Sequence, residues 1–316
     1  MEVLDLEIST IAQIQELAAI LRNTMQNETE LIEIGIGLLE THKYKKSIEI
    51  FTQAIQINPI NSEIFELRGI ANFKLFAIDE ALSDTSKAIE IDVENHRAWY
   101  NKGEILKYKA EYEEAEYCYR QADKIYPQSL FYLTGLIETT LAQKKYAETI
   151  SFCTQILNDL PADIIALTKR GFAYSQQLNY QAGINDYLKL VELGKRNATI
   201  YTNLGFWYGK LGLLKKASNN LSVALQINPT HPYALNNLGY VNYLEGNNKK
   251  ALELINKSLE IDPSNSYAYK NRALVSLKNG QKETALIDLN KAKSLGYTED
   301  YDNEVAELLK NEYGIG

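Results

Sequence analysis

The chain has 316 residues, 45% hydrophobic and 23% charged, a composition that supports a folded protein and excludes a disordered one. A formal net charge of -8 argues against binding nucleic acid by neutralising its phosphates. No window reaches the ~18 uninterrupted apolar residues of a membrane span, and the N-terminus MEVLDLEIST lacks the basic start and apolar run of a secretory signal, so a cytoplasmic protein with no membrane role is expected.

In chain order, the first predicted element is an amphipathic helix over residues 9–25, with Ser9 or Thr10 as N-cap and Ile11, Ile14, Leu17, Ala18 and Leu21 on one face. From Glu28 the sequence repeats every 34 residues without insertion, giving blocks 28–61, 62–95, 96–129, 130–163, 164–197, 198–231, 232–265 and 266–299. The eighth position reads Gly35, Gly69, Gly103, Ile137, Gly171, Gly205, Gly239 and Ala273. The twentieth is small throughout: Ser47, Ala81, Ala115, Thr149, Gly183, Ala217, Ala251 and Ala285. The fourth is apolar throughout: Leu31, Phe65, Trp99, Leu133, Leu167, Tyr201, Leu235 and Tyr269.

Each block predicts two helices. Leu235, Leu238 and Val241 mark the first of one pair at helical spacing; breakers such as EGN (245–247) and NGQ (279–281) separate the two. Pro59, Pro127, Pro161, Pro229 and Pro263 follow the second at position 32. Glycine at position 8 opposite a small residue at position 20 lets the paired backbones approach, and a large side chain there would overpack the contact by about 1–3 kcal/mol. Block four departs most, with Ile137 at the small position 8, Thr149 for Ala at position 20 and Ile156 for Ala at position 27, and a local change of packing is expected there. The last element, in 300–316, is a helix carrying Val305, Leu308 and Leu309.

These phased residues resemble the tetratricopeptide repeat family over 28–299. The resemblance implies an all-α fold: a right-handed α-solenoid (superhelix) of eight helix-turn-helix repeats, with N- and C-terminal capping helices in 1–27 and 300–316. It also implies that first helices line a concave groove with their positions 2, 5, 6, 9, 12 and 13. One pair cannot bury its apolar face alone, and stacking supplies the missing core.

Chemistry is sparse. His42, His96 and His231 fall at turns without metal-ligand spacing, and no GxSxG or HExxH occurs. Cys118 and Cys153 read as packed, reduced thiols. Once repeats and caps are assigned, no segment remains for a catalytic domain. A non-enzyme without cofactor or metal is expected.

The groove positions carry more information. Blocks one to four place Glu33, Glu40, Glu63, Glu66, Glu104 and Glu138 there against Lys74, Arg97 and Lys107. Blocks five to eight place no acid, but Lys169, Lys210, Lys270 and Lys278. A groove acidic in one half and basic in the other would orient an extended ligand and speed its encounter. Asn101, Asn203, Asn237 and Asn271 at position 6, with Asn236 beside them, can donate to and accept from a peptide backbone. Phe172, Phe206 and Tyr240 at position 9, with Tyr233, Tyr243 and Tyr267 nearby, form a candidate aromatic column, each ring worth roughly 2 kcal/mol if a ligand buries it. Packing of these rings within the protein is the competing explanation.

The family's clamp for the acidic C-termini of heat-shock chaperones needs Lys at position 5 and Asn at position 9 of one repeat. Only Lys270 meets the first condition and no block meets the second, so that clamp is not supported. The expected function is a non-catalytic scaffold that binds a protein or extended peptide with an acidic and apolar stretch. The alternatives are a self-assembly module, a bacterial assembly factor, secretion chaperone or toxin-neutralising partner, and a regulatory subunit of an enzyme.

Overall fold

A computed structural model describes residues 24–297 and 304–314, which hold seventeen helices and no strand. The expected N-terminal capping helix lies mostly outside the described residues. Helix α1 occupies 24–40, and α2 (Tyr44–Ile57), α3 (Ser62–Lys74), α4 (Ile78–Ile91) and α5 (His96–Tyr108) follow. Next come α6 (Tyr112–Ile125), α7 (Leu130–Ala142), α8 (Tyr146–Asp159), α9 (Ile164–Gln176), α10 (Tyr180–Glu192) and α11 (Ala198–Lys210). The last are α12 (Leu214–Ile227), α13 (Pro232–Leu244), α14 (Asn248–Ile261), α15 (Ser266–Lys278), α16 (Lys282–Ser294) and α17 (Glu304–Tyr313). The chain divides into two compact units, Met1–Glu148 and Thr149–Gly316. The boundary falls inside α8, in the block whose sequence departs most from the others.

Local chemistry explains the helix ends. Asn61, Asn95, Asp163, Asn197, His231 and Asn265 cap α3, α5, α9, α11, α13 and α15, each side chain accepting a backbone N–H of the first turn. All stand at position 34 of their blocks. The turn after each odd-numbered helix from α1 to α15 places a left-handed residue at position 15: His42, Phe76, Ala110, Lys144, Leu178, Gly212, Gly246 and Gly280. The following N–H bonds back to a carbonyl five residues earlier, as Lys43 does to Leu38 at 2.8 Å and Leu213 to Tyr208 at 2.9 Å.

The expected close approach of positions 8 and 20 is present: a Cβ on Gly183 would lie 2.8 Å from the Gly171 carbonyl. The tighter constraint on position 8, however, comes from the large side chain at position 24. A Cβ on Gly205 would meet Leu221 at 2.5 Å, and one on Gly239 would meet Ile255 at 2.6 Å.

In the first unit, Phe51, Ala54, Ile64 and Leu67 form a core with Leu31, Ile36 and Leu39. In the second, Ala251, Ile255, Leu259, Ala268 and Val275 do so, and Val305 and Leu309 of α17 bury against Ala285, Leu289 and Ala292 of α16. Three forked ion pairs staple first to second helices: Arg68–Asp84, Arg170–Asp186 and Arg272–Asp288, each with two N–H···O bonds of 2.6–2.9 Å. The remaining guanidinium nitrogen reaches the preceding second helix at Thr52, Thr154 or Asn256. His96 is the first residue of α5 rather than a turn residue; its ring stacks on Tyr126 at 5.1 Å and its Nδ1 lies 2.6 Å from the Tyr132 hydroxyl.

Candidate functional site

The second unit holds a cleft of about 260 Å³ built by the inward faces of α9, α11, α13 and α15. Successive first helices present positions 5, 6 and 9 on one side because those positions share a helix face. Of the residues singled out from sequence, Phe172, Phe206, Tyr233, Tyr240, Tyr267, Asn203, Asn236, Asn237, Asn271, Lys210 and Lys270 line it. Tyr243, Lys169 and Lys278 do not. Tyr243 stacks on Tyr240 at 6.0 Å, and the Lys278 ammonium stands over Tyr243 at 4.9 Å.

Sequence reasoning missed the other lining residues that matter. Tyr180 opens the second helix α10 and meets Phe206 edge-on at 6.4 Å. Tyr297 follows α16 and packs against Tyr267 at 5.0 Å. Trp207 backs the cleft and is fixed edge-on against Tyr187 at 4.6 Å. Neither Tyr180 nor Tyr297 belongs to a first helix, so a search confined to first-helix positions passes over both.

Three of the amides form a chain, and the fourth bonds a tyrosine. Asn271 donates to Asn236 Oδ1 at 2.9 Å, Asn236 donates to Asn237 Oδ1 at 3.4 Å, and Asn203 donates to the Tyr187 hydroxyl at 3.4 Å. Asn271 is 4% exposed, and its Oδ1 is a buried acceptor with no hydrogen-bond partner among the described residues. Such an acceptor is costly to leave unmade, by about 1–3 kcal/mol.

In both units the charges behind the expected acidic and basic halves are partly paired within the protein. Lys270 is only 5% exposed and is paired at 2.9 Å with Glu304 of α17, beyond the eighth block, so this lysine is not a bare charge. Lys210 stays exposed and lies over the Phe206 ring at 5.7 Å. In the first unit Glu66 is buried against Arg97 at 3.3 Å and accepts from Asn101 at 3.0 Å, so the Asn101 amide is engaged within the protein. Lys107 bridges Glu104 and Glu138, both at 2.8 Å, and Tyr119 donates to Glu104 at 2.6 Å. Burial raises the Glu66 carboxyl pKa, an effect that Arg97 only partly offsets.

Both cysteines are free and buried, and burial pushes their thiols up to about 11 for Cys118 and about 12 for Cys153, which leaves them protonated and unreactive. Among the described residues no group of His, Cys, Asp and Glu could hold a metal ion. No helix there is long and apolar enough to cross a membrane.

Models of the tetratricopeptide repeat match residues 96–129, 232–265 and 254–287. The first two matches coincide with the third and seventh blocks. A model of the protein prenyltransferase alpha subunit repeat matches 78–109. The chain is 30% identical over 104 residues to Hsp70-Hsp90 organizing protein 3 of Arabidopsis thaliana, covering 33% of this chain and 19% of that protein. It is 26% identical over 155 residues to the N-terminal acetyltransferase A complex auxiliary subunit NAA15 of the same plant, covering 49% and 17%. The chain therefore spans about a fifth of the length of these curated relatives. Among solved structures, Cut9-Hcn1 of the APC/C superposes with TM-score 0.55 at 15% identity, covering 85% of this chain and 52% of that one. PilF of Pseudomonas aeruginosa gives TM-score 0.53 at 17% identity, covering 67% and 96%. These likenesses are of fold.

Proposed function

The chain is a tetratricopeptide repeat protein, and from that premise we propose that it acts without catalysis, as a scaffold holding an extended segment of a partner protein in the cleft of its second unit. Residues 28–299 are taken as eight repeats, and α17 as the helix that covers the last of them. The carrying observation is the cleft itself, where aromatic rings from α9, α11, α13 and α15 converge beside the amides of Asn203, Asn236, Asn237 and Asn271. Phe206 and Tyr240 anchor apolar side chains, the asparagines engage the backbone, and Lys210 and Lys270 favour an acidic residue in the segment. A cytoplasmic site of action belongs to the same proposal.

The test is affinity capture from native lysate with wild type beside a Phe206→Ala/Tyr240→Ala variant, both shown by circular dichroism to be folded. A partner retained by wild type and lost by the variant is the expected result, with binding weakened about 30-fold or more. A partner held equally by both removes the cleft from the function. The match to the prenyltransferase alpha subunit repeat favours one second reading, a regulatory subunit of an enzyme. In that case the captured partner would be an enzyme whose rate changes on addition of this chain.

A further inference from the structure

Within each unit, one pair of polar side chains at positions 5 and 6 ties a first helix to the next. In the first unit the tie is Glu66 with Asn101, and at the centre of the second-unit cleft it is Asn236 with Asn271. Helix α17 occupies the place of the next first helix after α15, and there the tie becomes Lys270 with Glu304, 34 residues apart. The Lys270 side chain is 7% exposed and that of Glu304 31%. The ammonium also lies 4.9 Å from the centre of the Tyr240 ring and 5.9 Å from that of Tyr297, both cleft residues.

Structure alone does not require this charge pair. The amide pair shows that a neutral bond serves between first helices one residue away in register, and burying two charges carries a larger desolvation penalty. Helix α17 is held elsewhere, by Val305 and Leu309 in the apolar cluster and by the Tyr313 hydroxyl on the Lys282 carbonyl at 2.7 Å. The half-open carboxylate is therefore the part of α17 that can leave while the helix stays. The two rings keep the ammonium in position.

Resting on the cleft as the binding site, we propose that Glu304 is a built-in competitor: it holds Lys270 until an acidic side chain of the bound segment displaces it. The partner is then a segment carrying a carboxylate next to the apolar side chain that Tyr240 receives. Binding is graded by how well its acid replaces Glu304, and the same chain discriminates against neutral segments.

The probe is a set of fluorescein-labelled nonapeptides, each with one aromatic residue and one glutamate in a neutral background, beside a matched set with glutamine for glutamate. Anisotropy titrations use the full chain as wild type, Glu304→Gln, Glu304→Asp and Phe206→Ala/Tyr240→Ala. Glutamate peptides are expected to bind Glu304→Gln about fivefold or more tighter than wild type, with a smaller gain for Glu304→Asp and none in the glutamine set. The aspartate variant keeps the charge and the apolar seat of α17, so it reports even where the glutamine variant is less stable. Binding that weakens in Phe206→Ala/Tyr240→Ala but is no tighter in Glu304→Gln, or gains equally with both peptide sets, overturns the competitor and leaves the cleft standing. Binding by neither set that depends on Phe206 and Tyr240 overturns both.

Discussion

The two units share one plan of helix pairs and use their inner walls in opposite ways. In the first, the side chains at the inner positions are charged and pair with one another: Glu66 with Arg97, and Lys107 with Glu104 and Glu138. In the second they are amides and aromatics, and a cleft remains between them. The difference lies in what a side chain can do alone. A buried carboxylate draws in a cation or hydrogen-bond donor and fills the wall, whereas a ring or an amide can stop short and leave a shaped surface. The scaffold beneath is common to both, since Arg68–Asp84 in one unit and Arg170–Asp186 in the other have the same geometry.

That shared staple gives the largest expected effect. Asp84→Ala and Asp186→Ala each strand a guanidinium that made two charge-assisted bonds, and each should lower stability by about 3 kcal/mol. Urea unfolding of the two variants is the measurement. A loss below about 1 kcal/mol in one unit alone would mean that the staples are not equivalent and that the plan is less common than the geometry suggests.

A smaller effect separates the units at their turns. The left-handed position 15 is filled by His42, Phe76, Ala110 and Lys144 in the first unit, and by Leu178, Gly212, Gly246 and Gly280 in the second. A side chain there is strained by roughly 1–2 kcal/mol, against which glycine loses about 0.5–1 kcal/mol in backbone entropy. Leu178→Gly should therefore stabilise the second unit by about 0.5–1 kcal/mol, and Gly212→Leu should destabilise it by a similar amount. Thermal melts of both variants check the pair, and a Leu178→Gly variant that melts lower than wild type would show that the exposed leucine contributes contacts outweighing its strain.

These contrasts were unevenly legible in the sequence. The repeat phase, the paired helices and the cleft-lining Phe206, Tyr240 and Asn271 could be read because they recur at fixed positions on one helix face. The staples also recur, but they join position 7 to position 23, and a search confined to first-helix groove positions does not compare those two. Tyr180 and Tyr297 enter the cleft from outside the first helices, so no groove position points to them. What the groove charges do was only partly legible for a physical reason: counting lysines and glutamates does not show which of them pair with each other. Lys270 and Glu304 become visible as a pair only when α17 is treated as one more first helix, one period beyond α15.

The subtlest test asks whether the filled wall of the first unit is itself under electrostatic load. Glu66 is 1% exposed, and burial raises its pKa above the ordinary 4.5 even with Arg97 beside it. A raised carboxyl pKa means that the folded protein holds the proton more tightly than the unfolded chain does. The stability from that group is thus complete below 4.5 and is lost as pH rises through the folded value. Glu66→Gln keeps an acceptor for Asn101 and carries no charge at any pH, so it should melt above wild type at pH 7 and level with it near pH 4. Glu116 is the control within the same unit. Burial raises its pKa too, but hydrogen bonds from Lys145, Arg120 and Gln143 outweigh burial and lower it, so its contribution is present above 4.5 and lost as pH falls. Glu116→Gln should accordingly melt below wild type at pH 7, with the gap closing in acid. Melting curves of the two variants from pH 4 to 7 should diverge in opposite directions, and parallel curves would mean that Arg97 compensates Glu66 as fully as Lys145 and Arg120 compensate Glu116.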